Sequence, residues 1–292
     1  MEEFIQQVAT GLSTGSLYAI LALALVLIYR STGIVNFAQG EMAMFTTFIA
    51  WSFINWELHF WIAFFLTLLV AGIFGALIEI VVIRPVERGP ILNPVIITLG
   101  MFTMLNSIAL RIWQGQPKSF PSPAVFDGAP LRLGPAVISR PNIGVFCMSI
   151  LIMIAIYLLF NRTKVGLAMR AAAQNRIASQ LVGIRVGRML ALGWALSAMV
   201  GAAAGMLLAP TIFLSPSMMM GVLLFAFAAA VLGGLDSPVG AIVGGLVLGV
   251  VQNLAGTYID SKIDITVAFL VIIAVLLVRP KGLFGKQTME RV

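Results

Sequence analysis

One cysteine and one histidine in 292 residues leave this chain almost without the side chains that metal sites and nucleophilic catalysis draw on. Cys147 cannot close an internal disulfide, and with His59 it falls short of the ligand set that zinc requires. His59 sits at the outer edge of an apolar run, where an interfacial ring is the simpler expectation. No Ser-His-Asp set can be assembled around it on any principled choice of partners. Charge is scarce too: Asp, Glu, Lys and Arg make up 10% of residues, against roughly a quarter in soluble domains. No Gly-x4-Gly-Lys-Ser/Thr string occurs. The nearest, Gly282-Leu-Phe-Gly285-Lys286-Gln287, has the wrong glycine spacing and no hydroxyl for magnesium. Nucleotide hydrolysis is therefore not expected of this chain, nor is a metal or other cofactor.

What is present is apolar surface, in 60% of residues, and in runs long enough to cross a hydrocarbon core about 30 Å thick. They span 8–29, 37–56, 60–83, 91–113, 142–160, 189–209, 218–235, 239–258 and 263–279. The second carries Glu41 and the seventh is short and runs into Gly233-Gly234, so the expectation is an all-α, polytopic bundle of eight to nine spans with broken helices. It forms a single membrane domain over residues 1–292. Threading nine spans puts Arg30, Arg84, Arg88, the basic residues of 161–188, Arg279, Lys281, Lys286 and Arg291 on one face. That is thirteen of the eighteen Lys and Arg, and this excess marks the cytoplasmic side. The net charge of +7 is thus a topology signal and not a nucleic-acid one. The N-terminal flank, Glu2-Glu3, is acidic where a cleavable signal peptide would be basic, and the apolar run behind it is longer than a signal peptide's.

The polar content of the spans is small. Glu41 and Glu79 lie a turn or two from the cytoplasmic ends and are expected to snorkel or pair there, Glu79 with Arg84, which weakens a proton-coupled mechanism. Asn36, Gln39, Asn93, Thr98, Asn106, Gln252 and Asn253 are uncharged. Each must bond another helix or line a wet cavity, and as a set they form a candidate lining for a small polar solute. Two stretches, 31–41 and 231–240, read as helix breaks rich in glycine, with Asp236 and Ser237 before Pro238 as N-cap residues. Small pairs at spacing four (Gly11/Gly15, Gly201/Gly205, Gly240/Gly244, Gly245/Gly249) predict close helix packing, within the chain or against a second one. The loop 114–141, on the outer face and rich in proline and glycine, is expected to be irregular or partly re-entrant.

Between the fifth and sixth runs lies the interlude 161–188, with six basic residues and no acid. Its alanine-rich centre, with Leu167, Ala171, Ala178 and Leu181 at helical offsets, predicts one short amphipathic helix over 164–182 stopped by Gly183. Composition alone supports two roles equally: docking on a protein, or lying on anionic membrane lipid.

The residues here carry a resemblance. Gly166-Leu-Ala-Met-Arg-Ala-Ala-Ala-Gln-Asn175 followed by Leu181-Val-Gly-Ile184 resembles the cytoplasmic coupling segment of the permeases of branched-chain amino acid ABC importers. Three further strings match that family in order: 33–41, 231–245 and the tail Arg279-Pro-Lys-Gly-Leu-Phe-Gly285. Together they reach across most of the chain, and size suits the shorter permease type. The resemblance implies a permease of a bacterial inner membrane that works with a second, homologous permease subunit, two cytoplasmic ATP-binding subunits holding ATP and Mg, and a periplasmic substrate-binding protein. It also implies that Arg170, Gln174, Arg176, Gly183 and Ile184 face the ATPase. Two departures stand out. Gln174 and Asn175 occupy a part of the motif where relatives often have glutamate, and Asp236 stands where many have a small residue. An ion-coupled secondary transporter is the alternative, and a membrane-embedded enzyme a more distant one. Residues alone do not name the solute; the resemblance implies import of amino acids, branched-chain ones first, or of similar small polar solutes.

Overall fold

The structure is a computed structural model and describes residues 2–87, 89–90, 92–126, 128–133, 136–260 and 264–285. Arg88, Lys262, Lys286 and Arg291, which entered the charge count, lie outside the described residues. At the centre stands α1 (Glu2–Thr32), whose residues 17–28 are each at most 5% exposed. A helix apolar on every side has no solvent face to offer and is driven to the middle of a bundle. Two further helices pack against it over long stretches, α8 (Val186–Ile212) and α10 (Pro238–Tyr258). The α1–α10 crossing uses the paired glycines. A Cβ on Gly249 would overlap the backbone of Gly15, and one on Gly245 the backbone of Ala19, so the two backbones touch directly. The spacing-four pairs thus pack within the chain: Gly201/Gly205 face α2 (Gln39–Asn55) and Gly240/Gly244 face α9 (Met218–Gly233).

Outside this core lie α3 (Phe60–Ile78), α4 (Leu92–Trp113) and α5 (Arg140–Arg162). On α3, Ile62, Phe65, Leu69, Ile73 and Leu77 are all more than half exposed at helical spacing, an apolar stripe that only lipid or another apolar surface would cover. Among the described residues six helices are long and apolar enough to cross a membrane: Glu3–Thr32, Phe60–Ile83, Leu92–Trp113, Arg140–Arg162, Val186–Ile212 and Pro238–Tyr258. The expected eight to nine crossings turn on three shorter helices. The helices in the other three places, α2 (Gln39–Asn55, 17 residues), α9 (Met218–Gly233, 16 residues) and α11 (Asp264–Val278, 15 residues), rise only about 22–26 Å at 1.5 Å per residue.

The loop 114–141 is more ordered than expected. Leu131–Leu133 and Ala136–Ile138 pair as an antiparallel hairpin, β1 and β2. Lys118 bridges to Leu214, Trp51 Nε1 donates to Ser119 O, and Gln6 bonds Val137 through both its amide atoms, so the loop is pinned to α1, α2 and the α8–α9 link.

Candidate functional site

The basic end of the bundle, which carries Arg30, Arg84, 161–188 and Arg279, holds two short helices where one was expected. Thr163 ends α5 and starts α6 (Lys164–Gln174): its hydroxyl donates to Leu159 O and accepts from Gly166 N at 3.0 Å. Asn175 then breaks the helix, taking an extended backbone (φ −151°) and capping α7 (Arg176–Leu181) by accepting from Ala178 N at 2.9 Å. An asparagine competes well for such a cap, which an alanine-rich periodicity does not reveal. Gly183 closes α7 with φ +84°, its N–H bonding Gln180 O and the N–H of Ile184 bonding Ser179 O, the paired bonds of a Schellman stop.

The buried face also differs from expectation. α6 buries Ala172 against α8 near Val186 and Leu190, Met169 toward Gly193 of α8 and Gly166 against the end of α5, whereas Leu167 is 60% exposed. On α7 and its exit Ile177 (73%), Leu181 (83%) and Val182 (75%) stand out from the protein as an apolar tip. Gln174 is exposed beside it and Ile184 half-buried. Arg176 turns back to Glu87 in the link after α3, with 2.5 Å between Nη2 and Oε1. Arg170 turns inward, its Nε donating to Gly166 O, and faces a cleft with Arg30 and Asp236.

A second tie sits one step deeper. The end of α3 winds into a π turn (Glu79–Ile83), with Arg84 N bonding Glu79 O, which places both side chains on one side. Arg84 grips the buried Glu79 carboxylate through Nε at 3.1 Å and Nη2 at 2.6 Å, and Nη2 also donates to Gly187 O at the start of α8. These bonds to the carboxylate hold the Arg84 guanidinium above its ordinary pKa. Glu79 pairs as expected. Glu41 does not snorkel: it is 1% exposed, and Asn106 Nδ2 donates to its Oε2 at 3.3 Å and to Pro216 O at 2.9 Å.

Glu41 belongs to the first turn of α2, and that turn begins inside the bundle. Asn36 and Gln39 are fully buried. Asn36 donates to Gln39 Oε1, Gln39 Nε2 donates to Ser197 O on α8, and Ser197 Oγ reaches both Gln39 Oε1 and Ala24 O. A Cβ on Gly40 would lie 3.2 Å from Met219 Cβ, so the starts of the short helices α2 and α9 meet here. Residues 33–38 are therefore a helix break within the protein, and four polar side chains from α2, α4 and α8 collect around it. The other predicted lining residues are elsewhere. Thr98 is buried and bonds Val95 O in its own helix, Asn93 is exposed near Gly89, and Gln252 and Asn253 lie half-buried on α10, Gln252 Oε1 without a hydrogen-bond partner.

The second expected break divides its two polar residues. Ser237 caps α10, accepting from Gly240 N at 3.0 Å, while Asp236 is not a cap and faces the cleft. The turn 233–240 is covered by the tail, since Leu283 N bonds Leu232 O and Phe284 N bonds Gly233 O. Two of the motif strings, 231–245 and 279–285, are thus one structural unit. Spacing alone could not pair them. Ser197 and Glu87 were likewise missed, because each acts through a neighbour distant in sequence, and of the apolar tip of α7 only Ile177 lay outside the motif strings.

A model of the family "Branched-chain amino acid transport system / permease component" matches residues 7–278. The chain is 32% identical to the high-affinity branched-chain amino acid transport system permease protein BraD of Pseudomonas aeruginosa, over 99% of this chain and 98% of that protein. It is 31% identical to the corresponding LivH protein of Escherichia coli, with the same coverage. Among solved structures, PsaBC from Streptococcus pneumoniae in complex with Fab superposes with a TM-score of 0.50 at 15% identity, over 96% of both chains, a likeness of fold.

Proposed function

The chain belongs to the branched-chain amino acid transport permease family, and from that membership and the geometry above we propose that it imports branched-chain amino acids across a bacterial inner membrane as one of two homologous permease subunits. Its basic end faces the cytoplasm, where two ATP-binding subunits dock. A periplasmic binding protein delivers the solute to the opposite face. The observation that carries this proposal is the apolar tip Ile177, Leu181 and Val182, left standing out of the protein at the end of a short helix that is braced from behind by Arg176–Glu87. Exposed apolar groups at the aqueous end mark an interaction surface, and family membership makes the ATP-binding subunit its partner.

ATP-driven closure of the paired ATPases would move α7, and two rigid contacts carry that motion inward. One is α6 against α8; the other is Glu87 to the end of α3, from which Arg84 reaches Gly187. Both lead to α8, and Ser197 on α8 holds the buried start of α2 through Gln39. Alternating access then amounts to two positions of the break at 33–38, biased by nucleotide at one end and by the binding protein at the other. Asn36, Gln39 and Asn106 are placed on the path. In this conformation they bond one another or neighbouring groups, as a closed gate requires. Nine crossings follow if α2, α9 and α11 complete the membrane thickness with their flanking loops.

Gly183→Val tests the coupling role. No atom lies within 4 Å of a Cβ at this position, so the substitution acts through backbone strain in the left-handed region, roughly 1–2 kcal/mol. Reconstituted with its partners, the variant complex is expected to assemble and hydrolyse ATP but to lose solute uptake. Uptake at the wild-type rate would remove Gly183 from the coupling surface. Ion-driven uptake by the chain alone would instead favour a secondary transporter.

A further inference from the structure

Three charged side chains face one cleft at the basic end without satisfying each other. Arg30 at the end of α1, Arg170 on α6 and Asp236 before α10 line a space of about 240 Å³. A wider, more open cleft of about 520 Å³ between α6 and the 236 turn shares the same three residues. Among the described residues Arg30 and Asp236 close no ion pair, the two found being Arg84–Glu79 and Arg176–Glu87. Ile156 and Phe160 from α5 and Phe284 from the tail add apolar surface to the smaller cleft, beside the polar Tyr157, Asn161 and Ser237. Two half-buried guanidinium groups, one carboxylate and this apolar surface are held apart around an open volume.

We infer that this cleft is a second solute site, on the cytoplasmic face, complementary to a free α-amino acid. The inference rests on the transport role proposed above. A carboxylate would take charge-assisted hydrogen bonds from Arg30 and Arg170, the bidentate geometry that guanidinium groups favour. The ammonium group would be met by Asp236, and an aliphatic side chain would lie against Ile156, Phe160 and Phe284. The volume is below the roughly 300–1,000 Å³ of drug-sized pockets and suits a molecule of a few heavy atoms. A phosphatidylethanolamine headgroup presents the same pair of charges, phosphate and ammonium, so displacement by leucine is what separates the two sources.

Occupancy would have a mechanical consequence. The three charged residues come from α1, α6 and the α9–α10 turn, so a bound zwitterion ties α6 to two elements of the core. Since α6 is half of the coupling unit, accumulated product would hold that unit still and slow turnover. No residue changes its covalent state, and the inhibition reverses as product is consumed.

The test uses the whole transporter in lipid nanodiscs, with the binding protein omitted, and measures saturable binding of radiolabelled leucine. Binding is expected, and it is expected to weaken at least about tenfold in Arg30→Gln and in Asp236→Asn. On the unmodified complex, 4-methylpentanoate, which lacks the ammonium, and leucine methyl ester, which lacks the carboxylate, should each compete at least about tenfold more weakly than leucine. This second measurement stands even if a variant fails to fold. Added leucine should slow ATP hydrolysis of the unmodified complex and not of the Asp236→Asn complex. Absence of saturable binding, equal competition by the two analogues, or a lipid that copurifies only with unmodified complex and is not displaced by leucine would each overturn the site. Uptake with binding protein restored is read on the same complex in sealed proteoliposomes. Its complete absence would count against the transport role itself, whereas uptake without cleft binding would remove only the second site.

Discussion

Arg176 and Glu87, 89 residues apart in sequence, are joined by a hydrogen-bonded ion pair that fixes α7 to the link behind α3. Arg176 is 41% exposed and Glu87 10% exposed, so water screens part of the attraction and the pair should contribute no more than about 1 kcal/mol to stability. Its larger effect should be on transmission. Glu87→Gln is expected to leave thermal stability within a few degrees of wild type while lowering uptake per ATP hydrolysed severalfold. Parallel measurement of the two rates checks this. An unchanged ratio would mean that α7 signals through α6 alone.

The Arg84–Glu79 pair should respond asymmetrically. Glu79 is 1% exposed and Arg84 41%. Arg84→Ala strands a buried carboxylate and should cost about 3–5 kcal/mol, the range for breaking a buried pair. Glu79→Gln leaves an arginine that can extend toward lipid headgroups, and should cost less, about 1–2 kcal/mol. Thermal denaturation of the detergent-solubilised complex would rank the two. The reverse order would show that an uncompensated Arg84 guanidinium, and not a stranded Glu79 carboxylate, is the costlier charge, and that the Gly187 bond contributes little.

Gly249 and Gly100 make a controlled comparison. A side chain at Gly249 meets the backbone of α1, while a Cβ on Gly100, in the exposed face of α4, has nothing within 4 Å. Gly249→Leu should prevent α1 and α10 from closing, with a cost above the roughly 1–3 kcal/mol of ordinary overpacking and little monodisperse protein on size exclusion. Gly100→Leu should purify like wild type.

Asn106 bridges α4 to the starts of both short helices through Glu41 and Pro216. Asn106→Ala removes both bonds and leaves Glu41 buried without this donor, so a loss of about 1–3 kcal/mol is expected. Asn106→Gln keeps the amide and should restore part of it. If the break at 33–38 is the gate, uptake by Asn106→Ala falls further than stability alone explains. A cysteine at the exposed position 217 reporting no change in accessibility would argue against movement there.

Much of the architecture was readable because lipid imposes strong and local rules. The apolar runs mark every long helix, and the spacing-four glycines mark the α1–α10 crossing that Gly15 and Gly249 make. Gly183 read correctly as a helix stop, since few other residues adopt its φ. Ser237 read correctly as a cap, while its neighbour Asp236 did not, because a cap is set by whichever residue takes the N-cap position. Glu41 misled for a related cause: distance along the sequence from a predicted span end is not depth when the helix starts inside the bundle. The break within 164–182 was hidden because an asparagine cap costs nothing in apolar periodicity.

The sequence by itself determined that this is a helical chain with several runs apolar enough to span a membrane, because those properties follow from composition and from spacing along one segment. Only the tertiary structure decided which polar groups share a site. Gln39 with Ser197, Arg176 with Glu87, the 231–245 turn with the 279–285 tail, and Arg30 with Arg170 and Asp236 are each brought together by packing between segments far apart in the chain. Periodicity carries no record of such pairings, since helices in lipid choose their neighbours by close fit and by the few polar bonds that must be satisfied.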